Sequence, residues 1–225
     1  LFFQISPSTF CSRGRDDDLS TILKIIATAK KFIYVAVMNY IPITLSSSAS
    51  KYWPMIDDAL RSAAYENGVA VKLIISHWNH SHEQMFAFLR SLSTFAASLE
   101  RGSLEIVSHT LKNCLQLPPI FQKLFYVPVY NERQGRIPNS RVNHNKYMVT
   151  EETAYIGITK CLSSCIFEPF VAGTSNWVGD YFIDTAGIGS VIQQEENDIK
   201  HDLSVVRQLQ QVFIRDWNSS FATYL

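Results

Sequence analysis

The sequence has no excess of either charge: 20 Lys and Arg face 20 Asp and Glu. That balance excludes a broad basic field pulling the protein onto nucleic acid or anionic membrane, so any anionic ligand must be held by local cations. No apolar run approaches the roughly 20 residues that a membrane-spanning helix needs. The opening LFFQISPSTF lacks the basic start and long apolar core of a secretory signal. Cysteine is sparse, with four residues at Cys11, Cys114, Cys161 and Cys165. Cys161 and Cys165 are separated by three residues, and no histidine pair at a zinc-like spacing accompanies them, so no metal site is expected. An initiator Met is also lacking, since the chain starts at Leu1, and the expectation is a fragment or an incomplete gene model. Apolar residues are plentiful, 47% of the 225, enough to pack one sizeable domain.

Asp16 to Asp18 precede LSTILKIIATAKK, where Leu19, Ile22, Leu23, Ile26 and Ala27 recur at helical spacing; the acids read as a solvated helix start. KFIYVAVMNYIP, ending at Pro42, predicts a strand buried on both faces. A serine loop at 46–50 precedes an amphipathic helix over Tyr52–Tyr65, stopped near Gly68. VAVKLIISHW predicts a second buried strand, and Ser81 to Leu99 a helix ending near Gly102. TAGIGSVIQQ predicts a late strand, and Asp198 to Asp216 a closing helix. This alternation argues for one α/β domain, a mixed sheet sandwiched by helices.

Two segments interrupt the rhythm. Leu104 to Val107 predicts the start of a strand that Lys123 to Val127 would finish, yet SHTLKNCLQLPPIFQ lies between them. Ala154 to Gly157 similarly runs into ITKCLSSCIFEPFVA before Gly173 to Trp177. Both stretches, about 108–122 and 158–173, are expected to be anomalous insertions, either surface loops of low closure cost or untrimmed intron sequence.

The stretch VNHNKYMVTE places His144 and Lys146 two apart in a predicted strand, and so on one face. With 158–173 removed the chain reads HNKYMVTEETAYIGTSNW. This resembles the phospholipase D superfamily signature: His144, Lys146, Glu151 in place of the usual Asp, then the Gly173-Thr174-Ser175-Asn176 turn. FIYVAVMNYIP, YWPMIDDALRSAAYENGVAVKLIIS, RVNHNKYMVT and SNWVGDYF are similar, more narrowly, to the C-terminal half of phospholipase D members three and four.

The resemblance implies phosphodiester hydrolysis through a phosphohistidine, with no metal or other cofactor. One imidazole attacks phosphorus and a second protonates the leaving oxygen. By resemblance His144 is the general acid, Lys146 with Ser175 and Asn176 binds the phosphate, and Glu151 completes the motif. The separation of Glu151 from His144 is odd, which puts it on the other strand face, as a structural partner. The chain holds one such motif; His77, His80, His82, His109 and His201 lack it. The first motif is therefore expected in a missing N-terminal half or in a homodimer partner. The implied substrates are 5′ ends of single-stranded DNA or RNA, or a phospholipid. The implied setting is an endosomal or lysosomal lumen, with a membrane anchor upstream and glycans at the sequons Asn79-His80-Ser81 and Asn218-Ser219-Ser220. The rival expectation is an inactive fragment, in which the 158–173 segment displaces Asn176. His77, His80 and His82 read as a polar loop, and Trp177 and Tyr181 as core residues or as base-stacking rings.

Overall fold

A computed structural model describes residues 1–46, 49–106, 120–137, 140–158, 176–195 and 204–225, for 96–106 and 158 the backbone alone. Ser175, His109, His201, Cys114, Cys161, Cys165 and most of the two expected insertions lie outside these residues.

The first strand is β1 (Phe2–Ser6), followed by helix α1 (Asp18–Thr28) and strand β2 (Phe32–Val37). Asp17 caps α1, its carboxylate accepting from Ser20 N at 3.0 Å and Ser20 Oγ at 2.6 Å. Short strands β3 (Tyr40–Ile41), β4 (Ile43–Thr44) and β5 (Lys51–Tyr52) follow. Helix α2 (Met55–Glu66), strand β6 (Ala70–His77), helix α3 (Glu83–Ile106) and strand β7 (Ile120–Tyr126) then form two successive strand–helix–strand units with β2. After the one-turn α4 (Glu132–Gly135) come β8 (Lys146–Val149), β9 (Thr153–Ile158), β10 (Trp177–Val178), the short α5 (Asp180–Ile183), β11 (Gly187–Gln193), helix α6 (Val205–Trp217) and β12 (Ala222–Tyr224).

Among the described residues eight strands make one mixed sheet, in the order β1-β11-β9-β8-β2-β6-β7-β12. β2, β6 and β7 are parallel, and the other pairings are antiparallel. Strand residues alternate between two cores. Ile33, Val35, Val71, Leu73, Ile75 and Met148 pack with α1, α2 and α3, while Ala36, Ile74, Tyr147 and Val149 pack with Val206, Phe213 and Trp217 of α6. Helices thus cover both faces, the sandwich that the alternation predicts.

Several elements depart from expectation. Lys51 and Tyr52 pair with Thr44 and Ile43, and α2 starts only at Met55. Pro54 explains this, because it disfavours helical backbone in the residue before it. Helix α3 runs through Gly102 to Ile106, so Leu104–Ile106 end a helix instead of beginning a strand. Ile120, Phe121 and Gln122, expected within the first insertion, are β7 residues opposite Val71, Lys72 and Leu73. Ile158, expected within the second, ends β9 opposite Ile188. The acids before α1 are not all solvated: Asp18 is 0% exposed and accepts from the Tyr155 hydroxyl at 2.7 Å.

Candidate functional site

The parallel strands β2, β6 and β7 finish along one sheet edge, at Val37, His77 and Tyr126. β8 runs the other way, and its first residue, Lys146, pairs with Val37. Lys146 therefore joins the carboxyl edge of the parallel strands, where open α/β sheets place their ligands.

Only Lys146 of the His-Lys pair lies in the strand. His144 sits in the extended segment just before it, a correction to the expectation that both share one strand face. Side-chain bonds hold this segment off the ladder. Asn143 N donates to Ser76 Oγ at 3.1 Å, and Asn145 N to Asn143 Oδ1 at 3.3 Å. His144 is left exposed between them. Lys146 points into the protein and is 4% exposed. Its Nζ donates to His144 O at 3.1 Å and lies 3.8 Å from Met38 Sδ.

Among the described residues no carboxylate pairs with that ammonium. Burial alone pushes the Lys146 pKa from 10.5 to about 7. His144 is also pushed below its usual value, first by desolvation and then by the Lys146 charge. Two groups able to carry positive charge thus share one edge, with no carboxylate beside them among the described residues. An oxyanion between them would relieve both.

Asn176 reaches the same edge from a distant part of the chain. It is 3% exposed; its Oδ1 accepts from Asn39 N at 3.1 Å and its Nδ2 donates to the Tyr181 hydroxyl at 3.2 Å. Trp177 N donates to Asn39 O at 3.0 Å, and β10 pairs with β3 at Trp177 and Tyr40. The Met38-Asn39 bend after β2 therefore joins the two halves of the motif: Met38 touches Lys146 and Asn39 holds Asn176. Sequence reasoning did not single out either residue, and the only available signal was their place directly after a strand that pairs with β8. Asn39 Oδ1 is enclosed without a hydrogen bond among the described residues.

Glu151 is not brought to this edge. It lies past the far end of β8, where its Oε1 accepts from Lys30 N at 2.6 Å and its Oε2 from Lys31 N at 3.4 Å, closing the α1–β2 turn. There it is a structural acceptor for backbone amides, away from the His144–Lys146 edge. Trp177 is 2% exposed and packs against Tyr40, while Tyr181 is half-buried and serves as acceptor for Asn176. His77 meets Phe86 edge-on and His80 meets Trp78 edge-on. Among the described residues no three His, Cys, Asp or Glu side chains converge as metal ligands, and no helix is long and apolar enough to cross a membrane. Asn79 and Asn218 are both exposed.

Residues 1–113 match the family model described as PLD3/4, PLD-like domain. The 5′-3′ exonuclease PLD3 of Xenopus laevis is 41% identical over 222 residues, covering 99% of this chain and 38% of that protein. The 5′-3′ exonuclease PLD4 of Mus musculus is 39% identical over 222 residues, covering 98% of this chain and 37% of that protein. The chain thus spans less than two fifths of the length of these relatives. The crystal structure of Nuc from Salmonella typhimurium, a phospholipase D family member, superposes with a TM-score of 0.57 at 14% identity, covering 100% of this chain and 97% of that one, a likeness of fold alone. The architecture and the length of sequence matched give one conclusion: the chain belongs to the PLD3/4, PLD-like domain family.

Proposed function

We propose that this chain carries one half of a phosphodiesterase site that works through a phosphohistidine, with single-stranded DNA or RNA 5′ ends as substrate. The observation that carries the reading is the Lys146 ammonium, enclosed beside His144 and bonded, among the described residues, only to a carbonyl oxygen and a thioether. Such a charge is costly until an anion meets it. Relatives named 5′-3′ exonucleases support the choice of nucleic acid. A relative named a probable phospholipase D in Caenorhabditis elegans keeps phospholipid as the second reading.

In the proposed reaction Lys146 and the Asn176 amide hold the non-bridging oxygens and stabilise the charge that builds there. An imidazole supplied by another part of the full-length protein, or by a second copy of this chain, attacks phosphorus and breaks the bond to the leaving oxygen. His144, protonated, gives its proton to that oxygen. Neutral His144 then takes a proton from water as the water attacks the phosphohistidine, which frees the first imidazole and releases the phosphate product. Ser175 is proposed as a further donor to the phosphate, and Glu151 as the brace of the α1–β2 turn. An acidic lumen suits a general acid of lowered pKa, and the exposed sequon at Asn218 suits the secretory route.

The test is cleavage of a 5′-labelled single-stranded oligonucleotide by the full-length protein and by its His144→Ala variant. A rate loss of roughly 10²–10⁴-fold is expected from removing the positioned acid. Equal rates would end the enzyme reading and leave the inactive-fragment reading.

A further inference from the structure

Next to His144 on the same sheet edge lies a cleft of about 280 Å³. Trp78 and His80 line it from the turn after β6, Tyr126 from the end of β7, and Arg136 and Arg141 from the segment that leads to His144. One hydrogen bond fixes how close it is to the site. Asn143 N donates to Ser76 Oγ. Trp78 follows Ser76 by two residues and Arg141 precedes Asn143 by two. Each backbone is therefore within about 7 Å of that bond along the chain.

Arg141 is held in place. Its φ of 59° makes it the one non-glycine residue of positive φ among the described residues, a costly conformation that is kept where the surroundings enforce it. Its guanidinium donates to Gln134 Oε1 and lies over the Tyr130 ring, 5.4 Å from the centroid. Both partners are neutral, so among the described residues its charge is oriented but not cancelled. Arg136 differs, since it pairs with Glu132 at 3.1 Å on the open surface. Among the described residues no carboxylate lines the cleft. Trp78 adds an enclosed Nε1 that donates to nothing among the described residues, and its ring stands edge-on to His80 with centroids 4.8 Å apart. Aromatic walls and a guanidinium with no carboxylate partner among the described residues meet here, beside the proposed acid His144.

We propose that this cleft is a nucleotide subsite, in which Arg141 binds the phosphodiester adjoining the one at His144 while Trp78 and Tyr126 pack against the attached base. A diacyl phospholipid offers a phosphate but no planar π face, so the aromatic walls favour nucleic acid. The inference rests on the phosphodiesterase reading above and adds the residues that would hold the neighbouring nucleotide. It also bears on Asn79, whose side chain lines the cleft and opens a sequon: a glycan there and a nucleotide in the cleft exclude one another.

The test uses the full-length protein in a His144→Ala background, so that binding is read without cleavage. Anisotropy of a labelled ten-residue oligothymidylate gives its Kd at several salt concentrations. Arg141→Gln is expected to weaken binding about tenfold and to lower the salt slope by about one. Trp78→Leu is expected to weaken it at least roughly fivefold, as loss of a stacking face does. Arg133→Gln, a surface arginine outside the cleft, is the charge control and should leave the Kd within about twofold. Thermal midpoints of each variant separate lost contacts from lost folding, and Arg141→Lys should recover part of the affinity. Unchanged oligonucleotide binding in both Arg141→Gln and Trp78→Leu overturns the proposal. So does loss of binding to phosphatidylcholine–phosphatidylserine vesicles with oligonucleotide binding kept, and so does full glycan occupancy at Asn79 in the native protein. The phosphodiesterase reading fails on separate evidence, cleavage that survives His144→Ala, and so the two failures are distinguishable.

Discussion

Replacing Lys146 by Met should remove function and add stability. The Lys146 pKa of about 7 in the folded chain lies below its ordinary 10.5. The unfolded state therefore holds this proton more tightly than the folded one. Its cost to folding is present in full below about pH 7 and fades as pH rises from about 7 towards 10.5. A shift of this size corresponds at most to roughly 5 kcal/mol. Water entry and relaxation around the ammonium reduce that, and about 2 kcal/mol is a sound working figure. Met keeps the apolar stem that packs beside Met38 and removes the charge. For a chain of this length, about 2 kcal/mol is roughly 4–8 °C in Tm. The assay is thermal unfolding of both proteins by circular dichroism at pH 5.5, 8 and 10. Lys146→Met should melt higher at pH 5.5, and the gap should close towards pH 10. An oxyanion such as vanadate should raise the Tm of the parent at pH 5.5 more than that of the variant, which keeps His144 but has lost the enclosed ammonium. A variant that melts lower than the parent at pH 5.5 would refute the reasoning, because the ammonium would then already be compensated.

Three other outcomes are expected. If His144 is the acid, the rate should fall as pH rises through its lowered pKa; Lys146→Gln, by removing the second cause of that lowering, should move this limb upward in whatever activity remains, and a limb rising with pH would assign His144 as nucleophile instead. Glu151→Ala should lower Tm by a few degrees, because two backbone amides lose their acceptor at a cost of about 1–3 kcal/mol, while an oligonucleotide Kd measured by anisotropy stays within about twofold. Gly189→Ala should destabilise by about 1–3 kcal/mol in urea unfolding, because a Cβ there would lie 2.6 Å from Tyr155 Cε2 and force the buried Tyr155–Asp18 hydrogen bond to shift.

The residues whose role is set by local chemistry were legible. Near-continuous apolar runs in FIYVAV and AVKLIISH give the two central strands, and Asp17 ahead of an apolar period gives the first helix. The His144-Lys146 pair was visible as a motif, but its geometry was not. Periodicity placed both residues in one strand, whereas Asn143 and Asn145 bond to side chains and hold His144 out of it. The departure matters chemically. A strand position would have fixed the His144 ring against the sheet face beside Lys146. The extended segment instead leaves the imidazole exposed to incoming substrate, with the enclosed ammonium behind it.

Contacts distant in sequence were the least legible part. Asp18 looked like one of three solvated acids because Tyr155, its partner 137 positions away, has no signature in the sequence around it. Asn39 had no signature either, yet it holds Asn176 across the same separation of 137. In both cases a polar group is enclosed by apolar neighbours and stays satisfied only while a remote element remains in register. The site edge thus depends on strand registry more than on the motif residues alone. β8 against β2 sets Lys146 opposite Val37, and β10 against β3 sets Trp177 opposite Tyr40, one residue beyond the Asn176–Asn39 bond. A slip of one residue in either pairing would turn Lys146 to the opposite sheet face or carry Asn176 away from Asn39. The two pairings flank the Met38-Asn39 bend, so this dipeptide fixes the distance between the Lys146 ammonium and the Asn176 amide, and its rigidity sets how well the pair would fit one phosphate.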